Sequence, residues 1–278
     1  MWIAFSPRPV RNRATLFGAR GRTGRRAALA LAGAITLAAP ASQAQAQASG
    51  KGFLFSAPAG SFSLRGGYAL ANAGSAVFSD AISQLTLDKR DFSSLTFGGD
   101  ISYAPTPRTD LVFDVGVSYA KQPSEVRDFY EGEDDPIVQS TKFRRVPVTL
   151  GLKYYLADRG REVSRFAYIP SAFAPYVGIA GGAMQYKFEQ SGDFVDFRTI
   201  DPVTGEAEIY TATIEDSGWT PMAHGMAGID YTLGPWIALT FEGRYQWAKA
   251  KLDPDVFEGY DKLDLTGFTG TVGFKVRF

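Results

Sequence analysis

The sequence predicts an all-β protein: an eight-stranded antiparallel up-and-down transmembrane β-barrel. Three observations predict it. Eight segments between residues 61 and 278 alternate apolar and polar side chains with period two, the mark of a strand with two unlike faces. Aromatic residues gather at the ends of these segments. The polar faces carry glycine, serine, threonine and single charges of both signs, as a narrow enclosed lumen requires.

The elements follow in order. Ser61–Leu70 sets Phe62, Leu64, Tyr68 and Leu70 against Ser63, Arg65 and Ala69. Leu95–Ala104 sets Leu95, Phe97, Ile101 and Tyr103 against Thr96, Asp100 and Ser102. Asp110–Ala120 sets Leu111, Phe113, Val115, Val117 and Tyr119 against Asp114, Gly116 and Ser118. Arg145–Leu156 sets Val146, Val148, Leu150, Leu152 and Tyr154 against Thr149, Gly151 and Lys153. Pro175–Lys187 is glycine-rich, and its facing stays open. Thr220–Leu233 sets Ala223, Ala227, Ile229 and Tyr231 against His224, Gly228 and Asp230. Trp236–Ala248 sets Ile237, Leu239, Phe241, Tyr245 and Trp247 against Thr240, Glu242, Arg244 and Gln246. Leu265–Phe278 sets Phe268, Val272, Phe274, Val276 and Phe278 against Thr269, Thr271, Lys275 and Arg277. Each is close to the ~9–11 residues that a tilted membrane strand needs.

Alternation alone does not say which face points inward. The aromatics decide, because rings with a polar edge favour the lipid–water interface. One girdle is expected from Tyr103, Tyr154, Tyr176, Tyr231, Trp236 and Phe278. The other is expected from Tyr119, Tyr186, Trp219, Tyr245, Trp247 and Phe268. A soluble β-protein would instead bury Leu64, Phe113, Leu239 and Phe274 and expose Arg65 and Asp114.

Residues 1–48 read as a secretory signal that is removed. Seven arginines and no acid precede the apolar run Ala27–Pro40, which is shorter than the ~18–20 residues of a spanning helix. Ala44-Gln45-Ala46 and Ala46-Gln47-Ala48 both fit a cleavage site. Residues 49–60 are expected to form a short periplasmic segment, and 61–278 the barrel. Beyond residue 48 the chain carries 22 basic against 29 acidic residues, a balance that excludes nucleic acid as the expected partner. The absence of cysteine excludes disulfides and thiolate metal sites. The mean hydropathy of -0.10 is not that of a helical membrane protein.

Connection lengths agree with termini on the periplasmic side. Residues 71–94, 121–144, 188–219 and 249–264 are long and expected outside; 105–109 and 234–235 are short. Residues 157–174 break this pattern, and the sequence offers no account of them. Within 188–219, Phe194–Thr199 and Glu208–Thr213 alternate around Asp201-Pro202-Val203-Thr204-Gly205 and read as a hairpin above the membrane.

The C-terminal GFKVRF ends on Phe278, with Phe274 and Val276 at alternate positions. It resembles the terminal strand signal recognised by barrel-assembly machinery. With PYVGIAGGA at 175–183, the chain resembles the small OmpA/OmpX/OmpW-type outer-membrane barrels of Gram-negative cells over about residues 55–278. The resemblance implies residence in the cell outer membrane among outer-membrane lipids and lipopolysaccharide. It also implies delivery by periplasmic chaperones and the assembly machinery.

Charges on the polar faces define the candidate site. Arg65, Asp100, Asp114, Lys153 and Lys275 lie near the periplasmic ends of their strands, with Asp230 close by and Glu242 and Arg244 higher. Unpaired charge in a narrow lumen is costly, so these groups are expected to pair, Arg65 with Asp100 and Lys153 with Asp114. A packed ion-pair layer would plug the barrel. His224, the one histidine, has no serine within two positions, so no catalytic set can be assembled around it. The run Glu131-Gly132-Glu133-Asp134-Asp135 lacks the spacing of a calcium loop and reads as a solvated loop. No enzyme activity, cofactor or metal is expected, and the expected state is a monomer. The leading expectation is a structural or surface-interaction protein acting through its outer loops. The alternative is OmpW-like passage of small hydrophobic molecules, which an apolar upper lumen and a gap in one wall would favour. A lipid A-modifying enzyme ranks third.

Overall fold

The computed structural model describes residues 52–131, 135–196, 208–254, 256–257, 259–260 and 262–278. The export signal expected at 1–48 lies outside the described residues, as do 49–51, Gly132 to Asp134 of the acidic run and the turn 201–205. The described strands are β1 (Gly60–Ala71), β2 (Ser94–Thr106), β3 (Thr109–Glu131), β4 (Asp135–Tyr155), β5 (Gly160–Ser164), β6 (Ala167–Pro170), β7 (Phe173–Asp196), β8 (Glu208–Thr232), β9 (Ile237–Lys251), β10 (Lys262–Asp264) and β11 (Gly267–Arg277). One helix, α1 (Ala76–Gln84), interrupts them, followed by a 3-10 turn at Lys89–Phe92.

Eight strands close a ring in the order β1-β2-β3-β4-β7-β8-β9-β11, and β11 returns to β1. Every neighbouring pair is antiparallel, with Ser61 opposite Arg277 at the seam. Closure removes the sheet edges that would otherwise expose unpaired amides. All eight segments expected from alternation are ring strands. β3 with β4, and β7 with β8, run well past membrane thickness as two tall hairpins. Asp196 stands opposite Glu208, which is the hairpin expected above the membrane.

The facing is that of a membrane barrel. Leu64, Phe113 and Phe274 are 59%, 49% and 61% exposed on the outer wall, while Arg65 and Asp114 are buried inside. Leu239 is half-buried on the outer face. Phe274, Val276 and Phe278 of the terminal pattern also face outward. The glycine-rich β7 has its facing fixed by the register: Val177 and Ile179 point out, and Tyr176, Ala180 and Met184 point in. Two girdle assignments are therefore corrected. Tyr176 and Tyr186 are buried in the interior, because even-numbered positions of β7 face the lumen.

The long connection 157–174 forms the β5–β6 hairpin. It stays at the end where the termini lie, where Tyr168 pairs with Leu54 through N–H···O bonds of 2.8 and 2.7 Å. Arg159, at the root of the hairpin, donates to Pro107 O at 2.7 Å and Thr106 O at 2.9 Å, and its Nη1 lies 2.6 Å from Asp110. These bonds explain the extra length: the segment is a cap over the lower mouth.

At the other end the first outer loop folds inward. Val77, Phe78 and Ala81 give α1 one apolar face, which turns into the mouth of the barrel. Phe78 meets Phe92, Phe143 and Phe188 edge-on, at centroid distances of 4.6, 5.6 and 5.7 Å. Met184, Met222, Phe257, Leu263 and Leu265 complete this apolar cluster. The segment after α1 is fastened to the β3 extension by Thr86 N–H to Glu125 O at 2.9 Å and Arg127 Nε to Leu85 O at 2.7 Å. A segment expected to be a long outer connection thus packs its apolar face into the barrel mouth.

Candidate functional site in the lumen

Below the apolar plug, polar side chains from the inward faces of the ring converge. Arg65 on β1 contacts both Asp100 on β2 and Asp114 on β3. Arg244 on β9 grips Asp114 from across the lumen with a two-pronged contact, Nη1 to Oδ1 at 2.8 Å and Nη2 to Oδ2 at 3.0 Å. It also contacts Glu242. Lys153 on β4 reaches Glu242 Oε2 at 2.9 Å. Three cations and three carboxylates therefore form one chain of contacts spanning the barrel, with every member buried or nearly so.

The expected partnership of Lys153 with Asp114 is corrected. In the β3–β4 register Asp114 stands opposite Thr149, and Lys153 stands opposite Asp110. Lys153 sits two lumen-facing positions too low for Asp114, so it crosses to Glu242 instead. The guanidinium that Asp114 needs as a second partner comes from Arg244. Arg65 joins Asp100, as expected from adjacent strands.

A second polar layer lies lower. Lys275 contacts Asp230, and its Nζ donates to Tyr155 Oη at 3.1 Å. Tyr155 Oη lies 3.0 Å from Asp230 and 3.3 Å from Asp110, and Arg159 holds the other oxygen of Asp110. Tyr176 links the layers: its hydroxyl donates to Glu242 Oε2 at 2.7 Å, and its ring packs 5.5 Å from that of Tyr155. The Lys153 ammonium stands 4.9 Å from the Tyr176 ring centroid, so the cation gains from the ring face as well as from the carboxylate. Tyr176 lies flat over β8 and reaches Glu242 of β9 only because position 228 is glycine. A Cβ there would lie 2.5 Å from both the Tyr176 hydroxyl and the Phe241 carbonyl. Gly228→Val should displace the ring, break its bond to Glu242 and cost about 1–3 kcal/mol by overpacking. An unchanged urea unfolding midpoint for that variant would refute this account.

Residues that sequence reasoning passed over are Asp110, Tyr155, Arg159 and Arg145, and Tyr176 was placed in the girdle instead. Asp110 shares the parity of Asp114, Tyr155 has the parity opposite to Tyr154, and Arg145 shares the parity of Lys153. All three lie within the predicted segments, and giving every position of those segments a face would have found them. Arg145 lies at the floor of the plug, fully buried, with its guanidinium 5.0 Å from the Phe143 ring centroid. Its Nη1 and Nη2 make no hydrogen bond to the described residues.

His224 is buried on β8 between Ala180 of β7 and Gln246 of β9, and its Nε2 has no hydrogen-bond partner among the described residues. No serine hydroxyl among the described residues bonds to it. Among the described residues no three metal-ligating side chains converge on a metal site.

A cavity of about 530 Å³ opens at the lower mouth, between the β5–β6 hairpin and the floor made by Asp110, Tyr155, Asp230 and Lys275. Above that floor lie two smaller cavities of about 40 and 30 Å³. The wall also has a weak point. β3 and β4 keep one register, yet pairing lapses between Val115↔Val148 and Ser118↔Arg145. Pro147 lies in that interval and has no N–H to give the ladder.

No protein-family model and no curated protein matches the sequence. Solved structures do match. The outer membrane protein OprG from Pseudomonas aeruginosa aligns with 81% of this chain and 99% of its own, at 18% identity and a TM-score of 0.42. Neisserial surface protein A aligns with 79% of this chain and 97% of its own, at 10% identity and a TM-score of 0.39. Ail, the attachment invasion locus protein of Yersinia pestis, aligns with 79% of this chain and 99% of its own, at 16% identity and a TM-score of 0.37.

Proposed function

We propose that this chain is an exported integral protein of the cell outer membrane with a plugged lumen, serving a structural or surface-interaction role through its outer loops. The carrying observation is the buried chain of contacts from Asp100 through Arg65, Asp114, Arg244 and Glu242 to Lys153. Each charge in it has an opposite charge within reach, so the layer gains little from admitting water or ions. The plug carried by α1 closes the barrel a second time. The reading includes residues 1–48 as the export signal, Phe274, Val276 and Phe278 as the assembly signal, a monomeric state and no catalytic role. Its partners are outer-membrane lipids and lipopolysaccharide, with periplasmic chaperones and barrel-assembly machinery during biogenesis. Cell fractionation and heat-dependent gel mobility test the location and the barrel. Pure protein in planar bilayers should leave the membrane silent; steady nanosiemens channels would refute the plugged lumen.

A second reading is favoured by one observation. The upper lumen is apolar, and beside it Pro147 pairs with Met184 of β7 but not with β3. An apolar upper lumen with a weakened ladder beside it supports OmpW-like lateral passage of small hydrophobic molecules, provided the strands part there. Movement of α1 would have to empty the upper chamber first. Uptake of a small apolar dye into vesicles, faster for the protein lacking residues 74–92 than for the full chain, would support it. Equal uptake would remove it.

A further inference from the structure

We propose that the outer wall of β3, β4 and β7, just above the apolar band, binds the phosphates of a phosphorylated glycolipid in the outer leaflet. The inference rests on the reading of the chain as an outer-membrane barrel with its long loops outside. The register builds the site. One rung holds Tyr119, Arg144 and Lys187, and the next holds Lys121, Lys142, Glu189 and Glu215. The rung below them holds Val146, Gln185 and Trp219, the last a member of the upper aromatic girdle. Same-face rungs are separated by about 7 Å, so the cations stand roughly 7–14 Å above the Trp219 level, where the headgroups of the facing leaflet lie.

Two like-charge pairs stand directly across strands: Lys121 opposite Lys142, and Arg144 opposite Lys187. Such pairs destabilise a sheet unless an anion lies between them. The protein supplies part of that anion. Glu189 accepts from Lys142 Nζ at 2.6 Å and Lys187 Nζ at 2.8 Å, and Glu215 lies 2.8 Å from Lys187. The two ammonium groups push the Glu189 carboxyl down to about 2, so it carries its full charge. Two carboxylates against four cations leave the patch positive. The surplus sits on Lys121 and Arg144, which form no ion pair among the described residues. Arg144 gives Nη2 to Gln185 at 3.2 Å, and its Nε has no partner among the described residues. An ammonium and a guanidinium at headgroup height match phosphate oxygens, Arg144 offering Nη1 beside the Nη2 that Gln185 holds. A carboxylate-bearing sugar is a weaker fit, because it offers fewer oxygens to the same set of donors.

The test uses the full-length protein in mild detergent, with native mass spectrometry reading lipid retention. The probes are bis-phosphorylated lipid A, the same lipid A stripped of phosphate, phosphatidylglycerol and inorganic phosphate. Wild type should retain bis-phosphorylated lipid A at least ten-fold better than the stripped form. Lys121→Gln with Arg144→Gln should remove that preference while heat-dependent gel mobility stays normal. Millimolar inorganic phosphate should not displace the lipid. Equal retention of the two lipid A forms by wild type overturns the proposal and needs no variant to do so. Displacement by inorganic phosphate overturns the lipid assignment, and stronger retention of phosphatidylglycerol overturns the glycolipid. A protein that never inserts into vesicles overturns the barrel reading itself, whereas insertion without phosphate preference overturns this inference alone.

Discussion

Asp114→Ala is expected to lower the unfolding free energy by about 3–5 kcal/mol, the cost of breaking a buried ion pair by removing one partner. The size follows from what the carboxylate holds. It takes two contacts from Arg244, at 2.8 and 3.0 Å, and one from Arg65. Removing it leaves two guanidiniums facing each other with only Asp100 and Glu242 to share. Arg65→Met with Asp100→Leu should cost less than either change alone, because Asp100 and its cation go together while Asp114 keeps Arg244. Reversible urea unfolding in detergent micelles or thin bilayers measures both. A loss below 1 kcal/mol for Asp114→Ala would mean that water already solvates the layer. In that case the claim that the layer plugs the barrel fails with it.

How much of this was legible beforehand differs between wall and interior. The wall was legible because a closed barrel converts sequence parity directly into facing. Leu64 and Arg65 are neighbours in the chain and lie on opposite sides of the sheet, as period-two geometry demands. The glycine-rich stretch 175–187 was the exception, since small residues suit either face, and Tyr176 and Tyr186 were misplaced for that reason. Inside the lumen, parity says which side chains enter but not at what height they meet. Height depends on stagger between strands, which the sequence does not state. Asp114 and Lys153 therefore looked like partners until the register put Asp110 opposite Lys153. Across the lumen the difficulty grows: Arg244 and Asp114 are separated by 130 positions and touch only because the ring closes. The plug was hidden for a different reason. α1 has nine residues, too short to be stable alone, and its apolar face has meaning only once the barrel offers a mouth to fill.

That dependence on the barrel makes the plug testable at one residue. Phe78 is fully buried and packs against three other rings, one from its own loop, one from β4 and one from β7. Phe78→Ala should cost about 3–5 kcal/mol, the sum of lost burial and of a cavity that rigid barrel walls cannot collapse to fill. Phe97→Ala removes the same atoms from a lipid-facing position. There the acyl chains flow into the gap, so the cavity contribution vanishes and the loss should be clearly smaller. Hydrogen exchange separates a local effect from a global one. The Leu85 amide, bonded to Ala81 O at 2.9 Å, reports on α1, and the Lys275 amide in β11 reports on the ring. Phe78→Ala should accelerate exchange at Leu85 far more than at Lys275, because helix α1 is held by its rings and the strands by their ladder. Conductance should stay near zero in this variant, since the ionic layer below remains intact. It should rise only when Phe78→Ala is combined with Asp114→Ala, which weakens both closures. Equal losses for Phe78→Ala and Phe97→Ala would place Phe78 in a fluid environment. The apolar chamber would then be open to lipid through the wall at Pro147, and lateral passage would become the better account of what this barrel does.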